Sequence, residues 1–328
     1  MSEKKIKIIN WITIIFILII SGFWSFWGII ENFHEGWYFN SILKNMALMF
    51  IQYLSIPIII ILLSLISIKW HKVGGLLWIF AWMGFSYLIF FGGNIPFSFK
   101  RLLIWLPITI PLLLVGFSFY FFEIRDKKRA AMLIIIFPLL IIFSLGIPNY
   151  IRVSNRYNDY DFGLRIVKGN GVTLVWAPRG PGFPKRGVNW YIARKVCSFL
   201  DESGRKLLSK RQDIWRLPTR EEIVRSLTKS GKNCGGLLNE KGKPVYKIIP
   251  DKETPLWDPH SMIIYYWTSE RKKGIQNHKG EERDFAYLVS YNGKVLLRYA
   301  SNSADYHGFR CVKTLNIEEK RFEPDKGN

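Results

Sequence analysis

Apolar positions dominate the first half of the chain and fall into five uninterrupted runs. These runs cover residues 8–30, 46–68, 74–92, 102–122 and 130–148. Each holds about 20 residues, the length of a helix that crosses the hydrocarbon core of a bilayer, and none contains Asp, Glu, Lys, Arg or His. Five such runs exceed what the core of a soluble domain needs. The pattern therefore predicts an all-α transmembrane helical region of five spans over residues 1–150.

After residue 150 the runs shorten and turn signals separate them. We expect a linker over 151–160, an α+β domain over 161–315 and a polar tail over 316–328. Segments such as GVTLVWAP, IIYYWTSE and GFRCVK read as strands. The Asn-Gly pair in YNGK is typical of a tight hairpin, which predicts pairing of Leu288–Tyr291 with Val295–Tyr299.

Two amphipathic helices are predicted within the second half. In NWYIARKVCSFLDESG the apolar residues share one helical face, and Gly204 is a suitable C-cap. These apolar residues are Trp190, Ala193, Val196, Cys197 and Leu200. In RLPTREEIVRSLTKSG, Thr219 and Glu222 have the spacing of a capping box, which predicts a helix that ends at Gly231.

The distribution of charged residues predicts the orientation of the chain in the membrane. Residues 1–150 hold 12 Lys and Arg against 5 Asp and Glu, and residues 151–328 hold 34 against 20, so the net charges are +7 and +14. If the five runs alternate, most of the basic residues of the first half fall on one side of the membrane, which the positive-inside rule makes the cytoplasmic side. With the N-terminus cytoplasmic and an odd number of crossings, we expect residues 151–328 to lie outside the cytoplasm.

The apolar runs also limit the range of functions. Acidic, basic and histidine side chains inside a membrane mark proton and ion pathways, and the runs contain no Asp, Glu, Lys, Arg or His. This argues against a pump or proton-coupled transporter. The basic excess of the second half favours an anionic partner such as lipid headgroups, cell-wall polymers or acidic glycans. Nucleic acid is disfavoured because of the expected location.

The motifs of the second half resemble a known family. The order LVWAPRGPGFP, GVNWYIARKVCSFL, WRLPTREEI, LWDPH, YYWTSE, AYLVSYNGKV, GFRCVK is similar to the domain of unknown function at the C-terminus of bacterial Lcl-type collagen-like adhesins. That domain belongs to the C-type-lectin-like group, which includes formylglycine-generating (sulfatase-modifying) enzymes. The resemblance covers about residues 160–315 and implies two helices packed on small antiparallel sheets, with long loops that carry any binding site. It also implies a bacterial protein, which we expect in the cell (inner) membrane.

The resemblance further implies a disulfide between Cys197 and Cys311, because C-type-lectin-like folds commonly tie these two elements together. An extracytoplasmic location permits the bond, and two buried thiols are the alternative. The related enzymes bind copper through a cysteine pair shortly before the last strand, but residues 281–308 contain no cysteine. An enzyme of this group with a divergent active site stays open as an alternative function. Its one candidate catalytic residue is Cys234, which needs a base such as His260, His278 or His307.

Several other residues invite a structural interpretation. Arg216 and Arg310 flank strands and offer several fixed donors, so we expect them to bind loop carbonyls or carboxylates. Trp267 lies in a strand and belongs to the core. Asp258 and His260 could ligate a metal, but no second pair stands at ligand spacing, so they more simply fix a loop. The sequence leads us to expect neither a metal nor a cofactor.

Binding is the function that the sequence favours. The segment RYASNSADYH is polar and short-chained with tyrosine anchors, the mixture that adaptable binding loops use. The candidate ligand-binding residues are Tyr299, Asn302, Asp305, Tyr306, His307 and Trp257. We therefore expect a membrane protein that displays a non-catalytic recognition domain outside the cytoplasm. A regulatory lid on a membrane-protein complex is a further alternative.

Overall fold

The chain folds into two compact units. A computed structural model describes residues 2–92, 98–276 and 282–315. The first unit comprises Met1–His34 and Leu43–Ile151, and the second comprises Glu35–Ile42 and Arg152–Asn328.

Helices make up most of the described residues of the first unit. Helices are the natural form for these apolar segments because a helix satisfies its own backbone hydrogen bonds where no water is available. The helices are α1 (Glu3–Glu31), α2 (Ile42–Leu48), α3 (Ser55–Lys69), α4 (His71–Phe91), α5 (Phe99–Phe121) and α6 (Lys127–Ser154), with π-helical segments at Asn32–Gly36 and Met49–Tyr53.

Three of these helical stretches are long and apolar enough to cross a membrane. They are Glu3–Gly36, His71–Phe91 and Lys127–Ser154, and a bent pair (Ile42–Tyr53 with Ser55–Lys69) makes a fourth if it crosses as one span. These spans indicate a membrane protein, and the number of crossings that the five runs predicted stays a prediction. The second run is bent by 63°, and the fourth forms helix α5 (Phe99–Phe121), within which Thr109–Phe121 is an apolar stretch.

The bend in the second run has a local cause. Leu54 leaves the helical region with φ −105° and ψ 4°, between the π-helical segment and α3. Pro57 then lies in the first turn of α3, where the proline's missing N–H would have had no intrahelical partner. The proline is therefore compatible with a new helix that starts at Ser55, and not with one continuous helix through this position.

Small residues allow close packing between α4 and α5. A Cβ at Gly75 would lie 2.5 Å from the backbone nitrogen of Tyr120 and 2.8 Å from the carbonyl oxygen of Gly116. Such contacts let two helix backbones approach each other, which is how helices associate in a membrane. Trp78 and Phe119 are buried in the same region.

The second unit is α+β. Its helices are α7 (Trp190–Ser198) and α8 (Arg220–Ser226). Its strands are β1 (Arg165–Lys168), β2 (Thr173–Trp176), β3 (Thr228–Lys229), β4 (Lys232–Asn233), β5 (Leu237–Leu238), β6 (Pro244–Val245), β7 (Tyr265–Gln276), β8 (Glu282–Ser290), β9 (Val295–Tyr299), β10 (His307–Gly308) and β11 (Val312–Thr314).

The strands form two sheets and two small hairpins. One sheet has the order β1-β2-β11, and the other has the order β10-β7-β8-β9. The pairs β3–β4 and β5–β6 stand apart from both sheets. The predicted YNGK hairpin is confirmed, since β8 and β9 pair antiparallel and Gly293 in the turn adopts φ +85°.

Both predicted helices form, but both end earlier than the sequence pattern indicated. Helix α7 ends at Ser198 because Leu200 forms an antiparallel bridge with Leu207, and Gly204 lies in the turn between them instead of capping the helix. Helix α8 ends at Ser226 because Thr228–Lys229 pairs with Lys232–Asn233. Gly231 therefore lies in a hairpin turn, and φ is positive there, as glycine tolerates.

The predicted disulfide is confirmed. Cys197 of α7 is bonded to Cys311, which directly precedes β11, across 114 residues of sequence. Both side chains belong to a buried cluster with Trp190, Trp215 and Trp267. The bond therefore fastens α7 to the sheet β1-β2-β11.

Candidate functional site

Helix α7 presents two chemically different faces. Its N-terminus is capped by the side chain of Asn189, which accepts a hydrogen bond of 3.0 Å from the backbone nitrogen of Ile192. Trp190, Ala193 and Cys197 point into the core. The other face carries Tyr191, Arg194, Lys195 and Ser198, which follow one another at helical spacing. Because the disulfide fixes the inner face, the outer face has a defined position.

A groove of about 470 Å³ runs along this outer face. Helix α7 supplies most of its lining, and the rest comes from the residues that follow the helix and from β7. The lining residues are Trp190, Tyr191, Arg194, Lys195, Ser198, Phe199, Arg211 and Arg271. Four of these eight residues are cations, three are aromatic, and none is an acid.

The cations lie over the aromatic rings of the groove. The guanidinium groups of Arg194 and Arg271 lie 5.5 Å and 5.4 Å from the ring centroid of Trp190. The ammonium group of Lys195 lies 6.0 Å from the ring of Phe199. Such cation–π contacts hold a long basic side chain near a surface while its remaining donors face solvent.

Only part of this positive charge is neutralised. Arg271 pairs with Asp284 at 3.1 Å, and Arg211 pairs with Asp213 at 2.8 Å. The second pair is well exposed, which makes it weak. Within the described part of the chain, Arg194 and Lys195 have no carboxylate within ion-pair distance.

Tyr191 adds a neutral polar group at the rim. Its hydroxyl donates a hydrogen bond of 2.9 Å to Asp284. Burial and this bond raise the pKa of Tyr191, so the phenol stays protonated at neutral pH. The groove therefore offers cations, an aromatic floor and a neutral hydroxyl. This set suits an anion joined to a flat or sugar-like ring, and the lining residues include no carboxylate or histidine for acid–base work.

The predicted binding loop is only partly accessible. Tyr299 is half-buried at the end of β9, with its ring 4.6 Å from that of Phe285. Asn302 uses its side-chain oxygen to accept a hydrogen bond of 3.1 Å from the backbone nitrogen of Ala304. Asp305 and Tyr306 are exposed. The segment 298–307 carries one basic residue, Arg298, and one acidic residue, Asp305, so this loop has no net positive charge to attract an anionic ligand.

Two of the predicted ligand-binding residues lie in the core instead. Trp257 is buried and its ring stacks on that of Tyr266 at 3.8 Å. His307 is buried beside Trp267, with ring centroids 5.3 Å apart. Both were predicted to bind a ligand, but their burial leaves neither ring open to one. Each ring is surrounded by the aromatic residues that the strands β7 and β10 bring together, and such contacts are invisible before folding.

Cys234 is not arranged as a nucleophile. Its side chain is fully buried. Burial and the negative charge of Glu253, opposed by Lys229, raise the pKa of its thiol to about 11. A reactive cysteine needs a lowered pKa and access to substrate. Of its proposed partners, His278 lies outside the described residues.

The residues expected to have structural roles make extensive contacts. Arg310 is fully buried and donates hydrogen bonds to the carbonyl oxygens of Ala177, Pro255, Leu256 and Gly163. The indole nitrogen of Trp267 donates to the carbonyl of Val188 at 2.7 Å. Both residues therefore join segments that are distant in sequence.

The Thr219 capping box is present, with the side chains and backbones of Thr219 and Glu222 bonded reciprocally. Arg216 adds two hydrogen bonds to the Glu222 carboxylate, at 2.7 Å and 2.6 Å. Burial acts to raise the pKa of Glu222, but the bonds from Arg216 and Thr219 outweigh it and leave that pKa below its usual value. The start of α8 is thus held by an ionised carboxylate.

Asp258 and His260 fix a loop. The Asp258 carboxylate accepts from the backbone nitrogen of His260 at 2.9 Å and pairs with Arg179. The carbonyl of Asp258 also accepts from the hydroxyl of Ser261 at 3.0 Å. These bonds give Asp258 a structural role in the WDPH motif.

The groove residues were not predicted as a site. Arg194 and Lys195 were visible as the polar face of the amphipathic segment around Trp190, and that signal could have marked a basic helix face. Arg211 and Arg271 gave no such signal. Arg211 belongs to the loop after the helix and Arg271 to strand β7, and only the fold brings both to the groove.

Comparison of the chain with protein-family models, with curated proteins and with solved structures finds no match. The resemblance to the C-type-lectin-like group therefore stays a prediction from the motifs.

Proposed function

We propose that the second unit is a non-catalytic recognition domain, held at a bacterial cell membrane, whose α7 groove binds an anionic glycan or cell-wall polymer. The observation that carries this proposal is the composition of the groove. Its lining has four cations and three aromatic residues, and Arg194 and Lys195 are without a carboxylate partner among the described residues. Aromatic rings pack against sugar rings, and fixed cations attract sulfate, phosphate or carboxylate groups.

The proposal also places this domain outside the cytoplasm. The disulfide between Cys197 and Cys311 supports that side, because disulfides persist in oxidising compartments. The distribution of Lys and Arg between the apolar runs supports a cytoplasmic N-terminus. Together they favour an odd number of crossings, as the five apolar runs predict.

A C-type-lectin-like fold is the finer architecture that we propose for this domain. The motif order supports it, and so does a disulfide between the first helix of the domain and the segment before its last strand. A non-catalytic role is favoured over a formylglycine-generating activity because the thiol of Cys234 is buried and has a raised pKa.

The experiment uses the full chain in lipid nanodiscs and measures binding to heparin and to dextran sulfate, with unsulfated dextran as a neutral probe. We expect both sulfated polymers to bind and unsulfated dextran to fail. The double variant Arg194→Glu, Lys195→Glu should weaken binding about thirtyfold, since lost attractions and new repulsions at two sites sum to about 2 kcal/mol.

A matched control is available on the same domain. Lys185 and Arg186 are an adjacent, exposed basic pair outside the groove, and their reversal to Glu changes the net charge by the same amount. If this control weakens binding as much as the α7 variant, the attraction belongs to the overall positive charge and the groove assignment is wrong. Equal binding of sulfated and unsulfated dextran would also reject it.

A further inference from the structure

The hairpin of β5 and β6 carries an unusual surface, which we call the hairpin patch. It consists of the apolar side chains of Leu237, Val245, Ile248 and Ile249, which are 43%, 54%, 52% and 76% exposed. Leu237 and Val245 are direct cross-strand partners. Several exposed apolar side chains close together in sequence and strand pairing indicate an interaction site on a polar domain.

Basic residues surround the hairpin patch. Lys241, Lys243 and Lys247 are all exposed, and Glu240 is the only acidic residue between positions 232 and 249. Exposure alternates along the second half of the hairpin. Lys243, Val245 and Lys247 face outward, whereas Tyr246 is turned inward and donates a hydrogen bond of 2.9 Å to the carbonyl of Gly293. The lysines therefore share a surface with the apolar side chains.

The segment that follows the hairpin patch is fastened to the start of the domain. Pro250 is buried, and the next residue, Asp251, is a buried carboxylate. Asp251 accepts from Arg152 and Arg156 at 3.1 Å and 2.9 Å, and from Lys229 at 3.1 Å. Burial acts to raise the pKa of Asp251, but these positive charges keep it below its usual value. The Asp251 carboxylate is therefore ionised at neutral pH.

The contacts of Asp251 limit the distance between the hairpin patch and lipid, because one of its partners, Arg152, lies on helix α6. Arg152 lies four residues beyond the apolar run 130–148 and still within helix α6. Four helical residues rise about 6 Å. The headgroup region extends about 5–8 Å beyond the hydrocarbon core on each face of a bilayer. The chain thus enters the domain at the depth of the headgroups, and Ile249 is two residues from the carboxylate that holds Arg152.

We propose that the hairpin patch docks on the surface of the membrane that α6 crosses, with its apolar side chains at the level of the headgroups and its lysines on anionic phospholipids. Apolar side chains flanked by Lys are the composition of interfacial anchors. The docking is separate from ligand binding, because no residue of the hairpin patch lines the α7 groove.

Composition alone would not select this surface. Leu207, Leu208 and Ile214 form another exposed apolar set, near Arg205, Lys206 and Lys210. The bonds of that loop are local, as between Arg211 and Asp213 and between the backbone nitrogen of Arg205 and Asp201. It therefore provides a control of matched chemistry.

The test reconstitutes the full chain into vesicles that contain phosphatidylglycerol, with a fluorescent label at Ile249→Cys and brominated acyl chains as the quencher. Cys234 is buried and the other two cysteines are bonded, so the chain without the added cysteine should take up no label. We expect the label at Ile249→Cys to lose most of its emission. A label at Leu207→Cys should keep its emission.

A second arm tests the lysines. The triple variant Lys241→Glu, Lys243→Glu, Lys247→Glu should abolish quenching at Ile249→Cys, whereas Arg205→Glu, Lys206→Glu, Lys210→Glu should leave it unchanged. Vesicles of phosphatidylcholine alone should quench weakly. Absence of quenching at Ile249→Cys, or equal quenching at Leu207→Cys, overturns the docking. If quenching is as strong in phosphatidylcholine vesicles and persists in the triple lysine variant, the proposed contact of the lysines with anionic phospholipids is wrong.

Discussion

Arg310 is a single residue that joins four segments of the second unit. Its guanidinium group donates to carbonyl oxygens of residues 163, 177, 255 and 256, and the guanidinium carbon lies 4.3 Å from the ring centroid of Phe183. Burial lowers its pKa to about 10, so the group stays charged at neutral pH. A buried charge of this kind is tolerated only because every partner is in place.

Replacement of Arg310 should therefore be severe. In Arg310→Met the carbonyls lose their donors while they remain buried, and we expect a loss of about 3–5 kcal/mol in the free energy of unfolding. Urea unfolding of the detergent-solubilised full chain, followed by tryptophan fluorescence, measures it. Arg205→Met changes an exposed arginine and should shift the midpoint little. Equal shifts in the two variants would contradict the role given to Arg310.

His307 gives the fold a dependence on acid. Burial, with a smaller contribution from the charge of Arg298, lowers the pKa of His307 from 6.5 to about 4. The unfolded state therefore binds a proton between these values while the folded state does not. Stability is fully present above pH 6.5 and falls as the pH drops towards 4.

Between pH 7 and pH 5 this residue should remove about 2 kcal/mol from the free energy of unfolding. Burial lowers the pKa of Lys252 to about 7. Lys252 therefore changes the stability mainly at pH values above this range. Comparison of the native chain with His307→Gln at both pH values isolates the histidine from the carboxylates that titrate below it. The native chain should lose more stability on acidification than the variant, and equal losses would refute the shift.

At the scale of elements, helix α7 depends on the bond that fixes its inner face. The disulfide closes a separation of 114 residues between Cys197 and Cys311. The helix itself has nine residues, which is too short to be stable alone in water. Its outer face can present Arg194 and Lys195 in a fixed geometry because the other face is packed and cross-linked.

Loss of the disulfide should cost about 3–5 kcal/mol, the chain-entropy value for a loop of this length. The variant Cys197→Ser, Cys311→Ser should unfold at a lower urea concentration and bind heparin more weakly. Cys234→Ala keeps the bond and serves as the control for removal of a buried thiol. Mass spectrometry of the unreduced protein after alkylation gives an independent check, because two additional alkylated cysteines would contradict the bond.

The elements themselves were largely readable from the sequence, but their ends were not. Thr219 and Glu222 start α8 as predicted, since a capping box is a local interaction. Gly231 was assigned to the end of that helix and instead turns a hairpin. The helix stops at Ser226 because strand pairing of Thr228–Lys229 competes for the next residues, and pairing partners are not a local property.

At the scale of the whole molecule, the orientation in the membrane decides what the domain can bind. Alkaline phosphatase fused after Asn328 should be active, and green fluorescent protein at the same position should be dark, because the two reporters mature on opposite sides of a bacterial cell membrane. The reverse result would place the domain in the cytoplasm. That outcome would also remove the oxidising environment on which the disulfide depends.

The sequence by itself determined the division into a membrane-spanning half and a polar half, because hydrophobic length and charge are properties of segments. It also determined the cysteine pair, through the motifs that carry the family resemblance. Tertiary structure decided that the second apolar run bends at Leu54 and that His307 and Trp257 are buried. It also decided that Arg211 and Arg271 meet α7 in one groove. These outcomes depend on which distant segments pack together, and no short-range pattern in the chain encodes that choice.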